Sequence, residues 1–200
     1  MKKIITISRE YGAGGHSIGK KVAEVLGVPF YDRDIVRETV KASGFDPELI
    51  ENESEEISRS DSLWKNLASF SGAYYKDTQS AIRDVQAAVI LRFAQEGPCV
   101  ILGRCADEVL READIDSVNV FIHADDVHRA MRLSALTGST DATELKKMME
   151  KKDAARHNYY QRYTGKKWGD SHNYHLTLDS GALGDEACVR LIVAAAQDAE

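Results

Sequence analysis

The sequence predicts a three-layer α/β fold, a five-stranded parallel sheet with helices on both faces. Five short apolar runs, at 4–7, 28–31, 99–102, 118–122 and 175–178, are each bounded by glycine, proline or polar residues. Helical stripes separate them, and strands alternating with helices make parallel connections. The first run leads straight into a glycine-rich turn and then an amphipathic helix. The chain of 200 residues suits one domain, 1–200, with enough length for a sizeable buried core.

Taken in order, run 4–7 precedes a helix whose Ile18, Val22, Val25 and Leu26 share one face and which ends at Gly27. Run 28–31 follows. Residues 32–95 are largely helical, contain no convincing strand and exceed what one crossover helix needs, so they read as an inserted helical subdomain. Ile82, Val85, Val89 and Phe93 form its last stripe, before Gly97-Pro98. Run 99–102 ends in Gly103-Arg104. After run 118–122, Arg129 and Arg132 share a helical face. A long basic helix and a loop at 164–173 precede run 175–178. The final helix, about 184–197, carries Val189, Ile192 and Val193.

Composition excludes several classes. No apolar run approaches the roughly 20 residues of a spanning helix, so no membrane role is expected. The start, Met1-Lys2-Lys3-Ile4, is basic then apolar but runs too soon into the glycine turn for a signal peptide. Cys99, Cys105 and Cys188 lack metal-type spacing, and their odd number argues against a disulfide framework, which points to a reducing cytoplasm. With 26 basic and 32 acidic residues the net charge is −6, which disfavours a nucleic-acid polymer as partner. The distribution is uneven. Between 144 and 168, eight basic residues face three acids, leaving that window near +5 and the rest near −11, whereas 46–61 carries seven acids and only Arg59. A basic window on an acidic chain suggests a local anionic ligand; a solvated helix face is the plainer alternative. Nothing in the sequence fixes an oligomeric state.

The glycine turn carries the strongest chemistry. In Ser8-Arg9-Glu10-Tyr11-Gly12-Ala13-Gly14-Gly15-His16-Ser17 a strand meets a helix N-terminus, whose unpaired N–H groups and dipole favour an anion. A literal search finds Gly14-x4-Gly19-Lys20, a phosphate-loop pattern followed by Lys21 instead of Ser or Thr. The apolar stripe starting at Ile18 places Gly19 and Lys20 inside the helix, so the better register puts Gly12-Ala13-Gly14 at the phosphate turn. Ser17 is then the hydroxyl nearest a magnesium ion, and Gly15 stands where a phosphate-loop lysine belongs. Arg9 is the first candidate for the replacing cation and His16 the second.

Two further elements follow. Arg104, at the carboxyl end of a strand, can fork onto a phosphate, and Asp107 can accept from a base or sugar; a surface Arg–Asp pair is the plainer reading. In the late helix Asp153 precedes Arg156 by three residues, and Arg162 falls nearly two turns beyond Arg156. With Arg129 and Arg132 these arginines form a charge clamp for phosphoryl transfer if they converge over the loop.

As a set, these motifs resemble the cytidylate kinase-like family of nucleoside-monophosphate kinases, which carries a Ser-Arg-x-x-Gly-x-Gly-Gly loop in place of the lysine P-loop. Here that is Ser8-Arg9-Glu10-Tyr11-Gly12-Ala13-Gly14-Gly15; Phe30-Tyr31-Asp32-Arg33, Gly103-Arg104-Cys105-Ala106-Asp107, and the run from Lys152-Asp153 to Trp168-Gly169 match as well. The resemblance covers essentially the whole chain. It implies a P-loop kinase fold with sheet order 2-3-1-4-5, ATP and Mg2+ as cofactors, an acceptor-binding helical insertion at 32–95 and a basic lid at 144–173. On that transfer Gly12, Ala13, Gly14, Gly15, His16 and Ser17, with Arg9, hold the donor phosphates. Asp32, Arg37, Arg104, Asp107 and Asp153 face the acceptor. Arg129, Arg132, Arg156 and Arg162 neutralise the transferred group.

The reading is therefore a cytoplasmic transferase, a kinase that moves the γ-phosphoryl of ATP to a small nucleotide, CMP or dCMP. Two others stay open from the sequence: a nucleotide- or phosphate-binding regulator without turnover, and a kinase of another small metabolite.

Overall fold

The computed structural model describes residues 4–43 and 72–198. Five strands, β1 (Ile4–Arg9), β2 (Phe30–Tyr31), β3 (Val100–Leu102), β4 (Ser117–His123) and β5 (Leu176–Asp179), form one all-parallel sheet in the order β2-β3-β1-β4-β5. Both the fold class and the sheet order are as expected. The second strand is shorter than the apolar run 28–31 because Pro29 has no N–H to give; its carbonyl still accepts from Val100 N at 2.9 Å.

The helices are α1 (Gly15–Leu26), α2 (Arg33–Ser43), α3 (Gly72–Glu96), α4 (Ala106–Glu112), α5 (Asp126–Thr137), α6 (Ala142–Thr164), α7 (Ser180–Leu183) and α8 (Asp185–Asp198). Of the expected insertion 32–95, the described residues carry α2 and α3; the acidic run at 46–61 lies outside the described residues. Aspartates start the helices that frame the top of the sheet. Asp125 accepts from Val127 and His128 N, Asp141 from Thr143 and Glu144 N, and Asp179 from Gly181 and Ala182 N.

Burial on both faces explains why the strands read as continuous apolar runs. Ile5 and Ile7 of β1 point to one face, packing with Ile18 and Val22 of α1 and Cys188 and Ile192 of α8. Ile4 points to the other, with Ile35 of α2, Ile90 and Phe93 of α3 and Leu110 of α4. No described helix is long and apolar enough to cross a membrane.

The second half of α6 is built into the body. Ala155, Arg156, Tyr159 and Tyr160 are buried, whereas Lys146, Lys147 and Lys151 in the first half are exposed. The Tyr160 hydroxyl donates to Asp107 at 2.7 Å and that of Tyr159 to Gln86 at 3.0 Å. Just past the helix, Lys166 donates to the buried Glu108 at 2.7 Å, and Arg111 donates to the same carboxylate at 2.7 and 2.9 Å. Phe121, Tyr174 and Trp168 complete the aromatic cluster around Tyr160.

Two outcomes follow. Replacing Tyr160→Phe takes from the buried Asp107 its side-chain donor, and urea unfolding should show a loss of roughly 1.5–3 kcal/mol. Hydrogen bonds from Arg111, and then from Lys166, hold the Glu108 carboxyl down from 4.5 to about 2. A lowered carboxylate pKa stabilises the fold above the ordinary value, and that contribution disappears as pH falls toward 2. Stability measured from pH 6 to pH 2 should therefore show Glu108→Gln well below the native protein at the top of the range, the gap beginning to close near pH 4.5 and closing as pH approaches about 2.

Candidate functional site: a phosphate-binding glycine loop

The loop leaves the carboxyl end of β1, the central strand, where open α/β sheets bind ligands. Gly12 and Gly14 adopt φ of 85° and 82°, left-handed values that favour glycine, and Gly14 caps α1. Ala13 is buried between them, and Gly15, also buried, opens the helix. The first-turn N–H groups of α1 have no acceptor within the helix and are free to meet an anion.

The approach to the loop is fixed by charge. Arg156 Nη1 donates to Arg9 O at 3.1 Å, and Arg129 Nε donates to Tyr11 O at 2.8 Å. Tyr11 N–H donates to Asp153 Oδ1 at 2.8 Å, and Arg129 Nη2 closes the ring on Asp153 Oδ2. Glu10 accepts from Ala124 N and from Arg129 Nη1, both at 3.3 Å; burial pushes its carboxyl pKa up against the opposing pull of Arg129. Arg129 and Arg156 are themselves buried. On the far side the Ser180 hydroxyl is 2.7 Å from Ala13 O and 3.1 Å from His123 O, tying the loop to the ends of β4 and β5.

Arg132 lies over the loop: its guanidinium carbon is 2.7 Å from where a Cβ on Gly14 would stand, and its Nη2 pairs with Asp185 at the start of α8. Beside it a cavity of about 270 Å³ is lined by Gly12, Ala124, His128, Arg132, Ser180 and Gly181. Toward β2, His16 Nδ1 is 2.9 Å from Asp32 Oδ2; the imidazole is mostly exposed and the carboxylate half-buried. After β3 the backbone runs through three left-handed residues, Gly103, Arg104 and Cys105, with φ of 75°, 62° and 52°. Arg104 leaves the sheet there, half-buried.

The structure thus gathers Arg9, Arg129, Arg132, Asp153 and Arg156 around residues 12–17, and pairs His16 with Asp32. Three expected residues have other surroundings. Arg37 is exposed and pairs with Asp34 at 3.4 Å. Asp107 is buried under Tyr160, and burial raises its pKa. Arg162 is exposed, its guanidinium 5.6 Å from the Tyr163 ring centroid. Glu10, Ser180 and Asp185 were not singled out in the sequence; the one signal for Ser180 was its place directly after an apolar strand.

Ser17 is exposed on the first turn of α1, next in sequence to His16, which pairs with Asp32. A hydroxyl and a carboxylate are hard oxygen donors of the kind Mg2+ takes. Among the described residues no three His, Cys, Asp or Glu side chains form a cage, and an ion that keeps water and phosphate oxygens as ligands does not require one.

The model of the cytidylate kinase-like family matches residues 4–182. A crystal structure of an uncharacterized protein from Eubacterium ventriosum ATCC 27560 is similar at 25% identity and TM-score 0.74, covering 98% of this chain and 99% of that one. A gluconokinase from Sinorhizobium meliloti 1021 (21%, TM-score 0.56, 96% and 90%) and a shikimate kinase from Bacteroides thetaiotaomicron (16%, TM-score 0.54, 99% and 98%) share the fold. None of the curated proteins compared matches. With a lysine-less glycine loop at the head of the central strand, and a family match that runs from β1 through α7, the chain belongs to the cytidylate kinase-like family and has the fold of the P-loop kinases.

Proposed function

We propose that the protein transfers the γ-phosphoryl group of ATP to a small acceptor in a reducing cytoplasm, and that the acceptor is a pyrimidine nucleoside monophosphate, CMP or dCMP. Family and fold support ATP-dependent phosphoryl transfer to a small molecule. The observation that carries the reading is the loop itself, two left-handed glycines held from both sides by Arg129, Asp153, Arg156 and Ser180. Phosphoryl transfer depends on positioning and charge stabilisation, and a loop already fixed in place needs little reorganisation when the phosphates arrive.

Donor phosphates would take hydrogen bonds from the N–H groups of residues 12–17, with the donor base in the cavity beside His128 and Arg132. Mg2+, held through Ser17 and the phosphates, would supply charge neutralisation between donor oxygens. Arg132 stands closest of the expected clamp arginines to Gly14 and is the one suited to the transferred group. Arg129 and Arg156, bonded to loop backbone, act as positioning residues. The acceptor would lie toward β2 and β3, against Asp32 and Arg104.

One observation favours a second reading, an alcohol acceptor. A phosphate monoester is already ionised at neutral pH, whereas a hydroxyl gains from a base, and His16 oriented by Asp32 has the arrangement of one.

The deciding experiment follows ADP formation with ATP and Mg2+ across nucleoside monophosphates, small polyols and hydroxy acids, and with no acceptor. The expected result is turnover with CMP or dCMP; turnover confined to alcohols establishes the second reading, and ATP binding without turnover establishes a regulator. In the same assay Gly12→Ala should abolish turnover and weaken ATP binding by at least about tenfold. Its φ is unfavourable to alanine, and the new Cβ would stand 2.9 Å from Arg129 O, a main-chain atom that cannot swing aside.

A further inference from the structure

The loop's three glycines are glycines for different reasons. Gly12 and Gly14 have left-handed backbones. Gly15 does not: it is the first helical residue of α1, where any side chain is sterically admissible to the backbone. What excludes a side chain at 15 is Arg9. A Cβ on Gly15 would stand 2.6 Å from both Cβ and Cγ of Arg9 and 3.5 Å from its Cδ. Those two atoms are the root of the side chain, and the root is fixed. Arg9 ends β1 in register with Ile122 of β4, and its carbonyl accepts from Arg156. The stem of Arg9 therefore fills the volume through which a side chain at position 15 would leave the helix.

Position 15 is where the phosphate-loop register calls for lysine. We propose that Arg9 supplies the loop's missing cation through that same volume, so that positions 9 and 15 form one exchangeable unit: arginine with glycine here, and equally a small residue at 9 with lysine at 15. The inference rests on the phosphotransferase reading for its ligand, but its packing half stands on the geometry alone. The exchange has a chemical consequence. A guanidinium stays charged at every working pH and offers a planar fork to two phosphate oxygens, where an ammonium is a single point of charge.

The test separates packing from charge. For packing, a thermal-stability cycle compares Gly15→Ala in the native background and in Arg9→Gly. Gly15→Ala should lower Tm in the native background and raise or leave it unchanged beside Arg9→Gly, because an alanine there favours the helix once the stem is gone. For charge, Arg9→Met keeps the stem and removes the guanidinium. It should fold as the native protein does and bind ATP roughly 10- to 100-fold more weakly. Its affinity for adenosine should stay within about twofold, as there are no phosphates to feel the change. Arg9→Lys should recover part of the ATP affinity, and Arg9→Gly/Gly15→Lys should bind ATP more tightly than Arg9→Gly alone. Equal Tm losses in both backgrounds overturn the shared volume. Native ATP affinity in a folded Arg9→Met protein overturns the cation role while leaving the function intact. A native protein that binds no ATP, yet shows the Tm coupling, overturns the phosphate role together with the function and leaves the packing pair standing.

Discussion

The pair of the buried Arg129 and the half-buried Asp153 is the constraint on which the site depends. Each partner holds the other and also one backbone group of the same residue: Asp153 takes the Tyr11 N–H, Arg129 gives to the Tyr11 carbonyl. Arg129 comes from α5, Asp153 from α6 and Tyr11 from the approach to the loop, so one ionic contact locks three chain segments. Removing Asp153 takes from the buried Arg129 its nearest carboxylate and leaves it Glu10 at 3.3 Å, a loss of roughly 1.5–3 kcal/mol. Here the same loss would also release the strand-to-loop turn that sets the direction of the following N–H groups.

This arrangement divides the basic character of α6 into two kinds. Lys146, Lys147 and Lys151 face solvent, while Arg156 turns inward beside Asp153 and over the Tyr11 ring, 5.5 Å from its centroid. The inward charges are held by hydrogen bonds to carbonyls and carboxylates; the outward ones remain available to long-range attraction of an anionic ligand. The helix is a tether for the loop along one face and a cationic surface along the other, and Tyr159 and Tyr160 fasten its far end to α3 and α4.

The fold was largely legible in the sequence because its signals are local. Branched apolar runs and a 3.6-residue stripe survive without tertiary knowledge, and strand limits shifted by one or two residues: Pro29 shortened the second strand, while β1 and β4 run on past their apolar residues to Arg9 and His123. Sheet order came from the family resemblance. The glycine loop was legible for the same reason as the strands, since its register is set by the first apolar residue of α1. The arginines were harder. Their types and spacing pointed to phosphate, but whether a guanidinium meets a ligand or a backbone carbonyl is decided by segments 118–147 residues apart, as Arg129 with Tyr11 and Arg156 with Arg9 show. Asp107 looked like a binding group because it follows a strand end, and only the distant Tyr160 gives it another partner. Ser180 carried almost no signal beyond its place after the last apolar strand.

The left-handed turn after β3 bears on how Arg104 is presented. Glycine at 103 accepts that conformation readily, but Arg104 and Cys105 do not, and each non-glycine residue held there costs about 1–2 kcal/mol relative to a right-handed backbone. Glycine or asparagine at 104 would relieve the tension and make a more stable protein. Arginine at that point therefore works against folding, and the folded state carries it as a spring compressed beneath the guanidinium. The left-handed backbone sets the direction in which the Cα–Cβ bond of Arg104 leaves the carboxyl end of β3.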